Sequence, residues 1–190
     1  RDRSPSRGLG DVYKRQVLKR HKYVFALCSS TDMERLASFH AACKQTGRVF
    51  YCDRYQKKIL DIFTNYTQAE LFQFTHIFEL TSYKANRVKR KLQHEGFLMP
   101  VRASQINLIK GIMQIYGDEP ACLIYSMWQG YHNGKEENRI PGIIEIRNLF
   151  GTRIFDGTAD GFHTSGHADV ATLGHLCQLV RPRIGVVFIH

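Results

Sequence analysis

No stretch of the 190 residues approaches the roughly 18 consecutive apolar positions that a membrane-spanning helix needs. The five cysteines (Cys28, Cys43, Cys52, Cys122 and Cys177) are scattered and form no CxxC pair. That spacing speaks against a disulfide frame or a cysteine zinc site and fits reduced thiols. No apolar core with a small-residue cleavage site opens the chain, so a secretory leader is unsupported and the expected location is cytoplasmic, away from membranes. Internal repeats and low-complexity tracts are missing too. Acidic residues are in short supply: 17 Asp and Glu stand against 27 Lys and Arg, a formal charge of +10. The surplus suggests an anionic partner, with nucleic acid first. What is present, 43% hydrophobic and 23% charged residues, matches an ordinary globular protein of one domain, or one plus part of another.

The opening segment, residues 1–16, is polar and Arg-rich and shows no helical or strand periodicity. On pattern alone it reads as a disordered basic arm. Its second half, Asp11-Val12-Tyr13-Lys14-Arg15-Gln16, is also a translation of the transposon end used to tag sequencing libraries. Residues 1–16 are therefore expected to be a sequencing-adapter artefact, to be set aside before fold reasoning. Without them the charge falls to about +7, still basic.

Tyr23 to Cys28 is a short apolar run with aromatic and β-branched residues and reads as a buried strand. Ser29-Ser30-Thr31 follows, and Thr31 with Glu34 has the spacing of a capping box for a helix that ends near Gly47. Arg48 to Cys52 reads as a second strand, and Tyr55 to Phe63 as a second helix. Strand, helix, strand, helix at this spacing indicates an α/β fold with a parallel sheet. Leu71 to Leu80 is ambiguous between loop and short helix. Asn86 to His94 is a basic helix, Phe97 to Val101 an extended segment, and Ser104 the expected cap of a helix that Gly117 stops. Ala121 to Ser126 forms the next strand, and residues 131–141 turn polar and Gly-containing, which marks an excursion or a boundary. Further on, a strand is expected near Phe162, a helix capped by Asp169, and a last strand from Ile184 to Ile189.

The last thirty residues hold a cluster of His163, Ser165, Gly166 and His167, with a final His190. A helix of about 12 residues advances about 18 Å, and a six-residue strand returns about 20 Å. Such a packing is expected to bring His190 back to the sheet rim of His167, the rim at which α/β proteins place their sites. The plain alternative is that each histidine is an incidental polar residue.

The segment His163-Thr164-Ser165-Gly166-His167-Ala168-Asp169, with a later strand ending in Ile189-His190, resembles the end of a β-CASP nuclease. These are metallo-β-lactamase-fold enzymes that process RNA and DNA, RNase J among them. Tyr23 to Tyr55 is similar to the inserted β-CASP domain, and Leu123 to Tyr131 to its last core strand and following loop. The resemblance implies a β-CASP parallel-sheet domain with helices on both faces over residues 17–135. Residues 136–190 would be the C-terminal part of an αββα metallo-β-lactamase domain. It implies that His167 protonates the leaving oxygen and that His190 is a zinc ligand. It also implies that His163 and Ser165 hold substrate phosphate, in a parent enzyme with two zinc ions. Asp169 reads as a helix cap that fixes the loop. Ser29, Ser30 and Thr31, at a strand-to-helix turn, are a further phosphate-contact candidate, against the plainer reading of simple capping.

The family's main metal motif, His-x-His-x-Asp-His, does not occur in the sequence. The chain is therefore expected to be a fragment of a zinc-dependent ribonuclease, inactive alone and unable to hold zinc through one ligand. RNA is the expected partner, DNA a possible one, and a homodimer is open. Two other readings stand beside it: a lactamase-fold hydrolase of another substrate, and a non-catalytic RNA-binding paralogue. Arg87, Lys89, Arg90 and Lys91 read as a solvated helix face or as phosphate contacts, and Arg102 as another possible phosphate contact. Tyr66, Phe74, Tyr83 and Trp128 read as packing aromatics or as base-stacking surfaces.

Overall fold

A computed structural model describes residues 5–81, 84–116 and 121–156. Within them, six strands form one all-parallel sheet: β1 (Tyr23–Leu27), β2 (Val49–Cys52), β3 (Ile77–Glu79), β4 (Phe97–Val101), β5 (Cys122–Tyr125) and β6 (Ile154–Asp156). Their order across the sheet is β3-β2-β4-β1-β5-β6. The two central strands read YVFAL and FLMPV and are buried at every position, as expected of parallel strands covered on both faces. β1 and β4 run in register from Tyr23 opposite Phe97 to Leu27 opposite Val101.

Seven helices occur among the described residues: α1 (Pro5–Arg20), α2 (Met33–Thr46), α3 (Arg54–Tyr66), α4 (Asn86–Glu95), α5 (Ile106–Ile115), α6 (Gly130–Asn133) and α7 (Pro141–Phe150). Alternate strand residues feed two separate cores, because successive side chains leave a strand on opposite faces. Val24, Ala26, Phe50, Leu98 and Ile124 pack with Leu36 and Phe39 of α2, Leu60 of α3 and Leu18 of α1. Phe25, Leu27, Tyr51, Met99 and Leu123 pack with Leu92 of α4, Ile109 and Ile112 of α5, and Ile143 and Ile146 of α7. The expected α/β parallel sheet with helices on both faces is present at this level.

Several local expectations need correction. Thr31 does not cap α2: the Asp32 carboxylate accepts the Arg35 N–H at 3.1 Å, one residue later than the Thr31–Glu34 pair predicts. Asp is as good a cap as Thr, and the helix takes the residue nearest its first turn. Ser104 does not cap α5 either, because Ala103–Gln105 forms a short 3-10 turn before it. From Pro5 on, the segment before Val17, read as aperiodic, is helical within α1, and its half-buried Tyr13 packs against the first core. Between Leu71 and Leu80 the chain makes a 3-10 turn over Glu70–Phe72 and then the edge strand β3. Gly47 ends α2 as expected, in the left-handed conformation at φ 69°, with its N–H on the Cys43 carbonyl.

Residues on both sides of the boundary expected between 135 and 136 contribute to one sheet: β6 pairs with β5 from Leu123 opposite Ile154 to Tyr125 opposite Asp156. Gly117 and Tyr83 lie outside the described residues. So do the strand, helix and last strand expected after residue 156.

Candidate functional site

All six strands point the same way, so the loops that leave β1, β2, β4 and β5 gather at one edge of the sheet. In open parallel sheets this carboxyl edge is where ligands bind. Four short segments build it: Ser29–Asp32 after β1, Asp53–Gln56 after β2, Arg102–Gln105 after β4 and Ser126–Tyr131 after β5.

Asp53 ties the second and third of these together. It caps α3, its carboxylate accepting the Gln56 N–H at 2.7 Å. The same carboxylate receives both terminal nitrogens of Arg102, one of them at 3.4 Å, and the Gln105 side-chain amide at 2.5 Å. Gln105 answers from its oxygen, which accepts the Arg102 N–H at 2.9 Å. The Arg102 guanidinium lies 4.8 Å above the ring of Tyr55, which is 55% exposed. Here a planar cation is held by a fork of hydrogen bonds and stacked on an aromatic face, an arrangement lysine cannot reproduce.

The turn after β1 divides its three candidate residues. Ser30 is buried and faces inward: its carbonyl accepts the Gln56 side-chain amide at 3.1 Å, and Arg102 reaches its hydroxyl at 3.5 Å. Ser29 and Thr31 are exposed, their hydroxyls 3.1 Å apart. The Asp32 carboxylate takes the Arg35 N–H at the start of α2 and pairs with the Arg35 guanidinium at 3.1 Å. Any phosphate contact at this turn falls to the hydroxyls of Ser29 and Thr31, because a carboxylate already sits at the helix terminus.

Arg35 also donates to the Ser126 carbonyl, which brings the α2 entry against the loop after β5. In that loop the Tyr125 hydroxyl donates to the Trp128 carbonyl at 2.7 Å. Arg147 of α7 lies 4.7 Å above the Tyr125 ring and pairs with Asp156 at 2.7 Å, while Gln129 donates to the same carboxylate. Burial pushes the Tyr125 phenol well above its usual range. The His132 ring packs on Tyr125, its Nδ1 buried without a partner, and burial together with nearby Arg147 pushes its pKa down.

The structure thus brings Ser29, Ser30 and Thr31 to one edge with Arg102. His163, Ser165, His167 and His190 lie outside the described residues. Asp53, Tyr55 and Gln105 escaped the sequence reading, although Asp53-Arg54-Tyr55-Gln56 directly after a strand is a helix-start signature that marks Asp53. Of the aromatics, Phe74 belongs to the core, whereas Tyr66 and Trp128 are exposed at 88% and 48%. In α4, Arg87 and Arg90 are exposed, and Lys91 sits 4.1 Å over the Phe78 ring. An open groove of about 300 Å³ separates α4 from α5, lined by Lys84, Asn86 and Lys89 on one side and by Gly111, Gln114 and Ile115 on the other.

Among the described residues, no three His, Cys, Asp or Glu side chains converge to hold a metal ion. Cys28, Cys43, Cys52 and Cys122 are buried and unpaired, and burial pushes the thiols of Cys28, Cys52 and Cys122 up to about 12. Such thiols are poor ligands and poor nucleophiles. No described helix is long and apolar enough to cross a membrane. Compared with known proteins, the chain matches no protein-family model and no curated protein.

Proposed function

We propose that this chain is the RNA-holding part of a β-CASP, metallo-β-lactamase-fold ribonuclease: the insert domain followed by the C-terminal portion of the lactamase domain. One observation carries the reading. The carboxyl edge of an all-parallel sheet collects exposed hydroxyls, a stacked arginine and exposed aromatics, in a chain whose sequence runs on into His163-Thr164-Ser165-Gly166-His167 and ends on Ile189-His190. In this reading His167 donates a proton to the leaving oxygen of the scissile phosphodiester, and His163 and Ser165 hold its phosphate.

Among the described residues no cluster of side chains fits a zinc centre. His190 is the single ligand the resemblance supplies, and zinc needs three or four. The described cysteines are buried with raised thiol pKa values. Hydrolysis belongs to a parent carrying His-x-His-x-Asp-His. This reading and that of a non-catalytic RNA-binding paralogue both make binding the property of this chain.

The test is fluorescence anisotropy of a labelled single-stranded RNA dodecamer, with a DNA dodecamer beside it. Binding that weakens as salt rises, without cleavage, is expected. Absence of RNA binding at low salt overturns the reading. In the parent enzyme, His167→Ala is expected to abolish cleavage while RNA binding persists; unchanged cleavage by that variant removes the acid role.

A further inference from the structure

Trp128 is the one tryptophan of the sequence, and it stands 48% exposed on the carboxyl edge. Its position is fixed from several sides. A Cβ at Gly130 would come within 2.3 to 2.4 Å of three atoms of the indole, so the ring rests directly on the glycine backbone. Tyr131 meets it edge-on, with ring centres 5.4 Å apart and planes at 88°. The Trp128 carbonyl accepts the Tyr125 hydroxyl at 2.7 Å and the Tyr131 N–H at 3.2 Å. A large exposed aromatic surface that is already immobilised loses little entropy when a second ring stacks on it.

Its neighbours are polar and span the edge in order. The Ser126 N–H donates to the Leu27 carbonyl at 2.9 Å, which sets the Trp128 loop beside the exposed hydroxyls of Ser29 and Thr31. Beyond them, after β4 and β2, come Arg102 and Tyr55, stacked at 4.8 Å. Three strand spacings separate β2 from β5, about 14 Å, against about 3.4 Å per stacked base. The edge therefore accommodates roughly four nucleotides, a site size at the small end for single-stranded binders. Asp32, Asp53 and Asp156 lie along the same edge, each paired with an arginine. With little net charge to spend on phosphates, the edge must derive much of any affinity from stacking.

We propose that Trp128, seated on Gly130, is a base-stacking platform for single-stranded nucleic acid, with Tyr55 on Arg102 as the far end of the same track. The proposal rests on the RNA-holding reading above and adds where the bases go.

The single tryptophan reports on its own site. The full chain is titrated with an octamer of uridylate while intrinsic fluorescence is followed, and binding is measured separately by anisotropy of a labelled copy. An abasic octamer serves as the charge-matched control. Quenching that saturates with the anisotropy change, and little quenching by the abasic strand, is expected. Trp128→Ala is expected to raise Kd about 5- to 150-fold, with Trp128→Phe in between. If the uridylate strand binds but fluorescence does not change and Trp128→Ala binds as before, the platform is wrong while the RNA reading stands. Equal quenching by the abasic strand also overturns the platform. If neither strand binds by anisotropy, both readings fall.

Discussion

The indole of Trp128 rests on the Cα of Gly130, close enough that a Cβ there would lie 2.3 Å from the ring. Gly130→Ala must therefore displace the ring. The obstructing atoms are the far end of a half-exposed side chain, so the indole can swing outward without unfolding the sheet. Gly130→Ala is expected to keep the thermal midpoint of the unsubstituted chain to within a few degrees, because overpacking at a surface site that can relax costs less than the roughly 1–3 kcal/mol of a core site. Its tryptophan emission should shift to the red, and its affinity for the uridylate octamer should fall toward that of Trp128→Ala. Retained emission and affinity would separate Gly130 from the platform.

Asp53 caps α3 and neutralises Arg102, and two substitutions separate these roles. Asp53→Asn keeps a side-chain oxygen for the Gln56 N–H but removes the charge. Asp53→Ala removes both, and loss of the cap alone costs about 0.5–2 kcal/mol. Urea unfolding is expected to rank the chain as unsubstituted, then Asp53→Asn, then Asp53→Ala. Asp53→Asn should also tighten RNA binding at low salt, because the guanidinium is then unpaired. Equal midpoints for the two variants would mean that the cap contributes nothing.

How much of this edge could be read beforehand depends on what each residue needs to be recognised. β1, α2, β2, α3, α4, β4 and β5 announce themselves through local pattern: apolar runs, a helical stripe, and Gly47 as a stop. β3 and β6 are three residues each, and neither is fully buried, so they carry too little periodicity to show. α7 begins with Pro141-Gly142, which reads as a breaker, yet proline suits the first helical turn because its missing N–H is not needed there. The turn of Ser29 to Thr31 was legible because it follows a strand. The bond network of Asp53 with Arg102, and the seat of Trp128 on Gly130, join residues far apart in sequence or on opposite sides of a turn. No local pattern encodes them.

α4 offers a test of where salt dependence arises. Arg87, Lys89 and Arg90 form no ion pair among the described residues, whereas the arginines of the carboxyl edge are paired. Replacing all three by alanine is expected to flatten the salt dependence of RNA binding, by about 0.7 in log Kd per log salt for each phosphate that is no longer neutralised. Trp128→Ala should weaken binding at every salt concentration and leave the slope unchanged. A triple variant with the original slope would return this helix face to plain solvation.

Gly142 of α7 comes so near the 3-10 turn after β4 that a Cβ would meet the Ala103 carbonyl oxygen at 2.4 Å. Alanine gains at most about 1 kcal/mol over glycine in a helix, while an overpacked contact costs about 1–3 kcal/mol. The contact is with backbone and cannot rotate away, so the cost wins. Gly142→Ala is expected to lower the thermal midpoint by a few degrees, and a rise would show that α7 stands off from that turn.

His40 is expected to contribute to the pH dependence of stability. The ring is buried between Phe50 and Phe74, and its Nε2 donates to the Thr75 carbonyl at 2.6 Å. Burial pushes its pKa below the usual histidine value; the Thr75 contact opposes that shift, and nearby Lys44 and His76 add to it. A histidine that takes up its proton less readily when folded favours the unfolded chain as acid is added, so this contribution is complete above about pH 6.5 and is lost as pH falls through the lowered folded value. The same sign holds for His132. Chemical denaturation between pH 7.5 and 5 is expected to show stability falling with acid. His40→Gln, although less stable at pH 7.5 for want of the ring packing, should lose a smaller fraction on acidification and keep the residual slope of His132. An unaltered slope in that variant would place the acid sensitivity elsewhere in the chain.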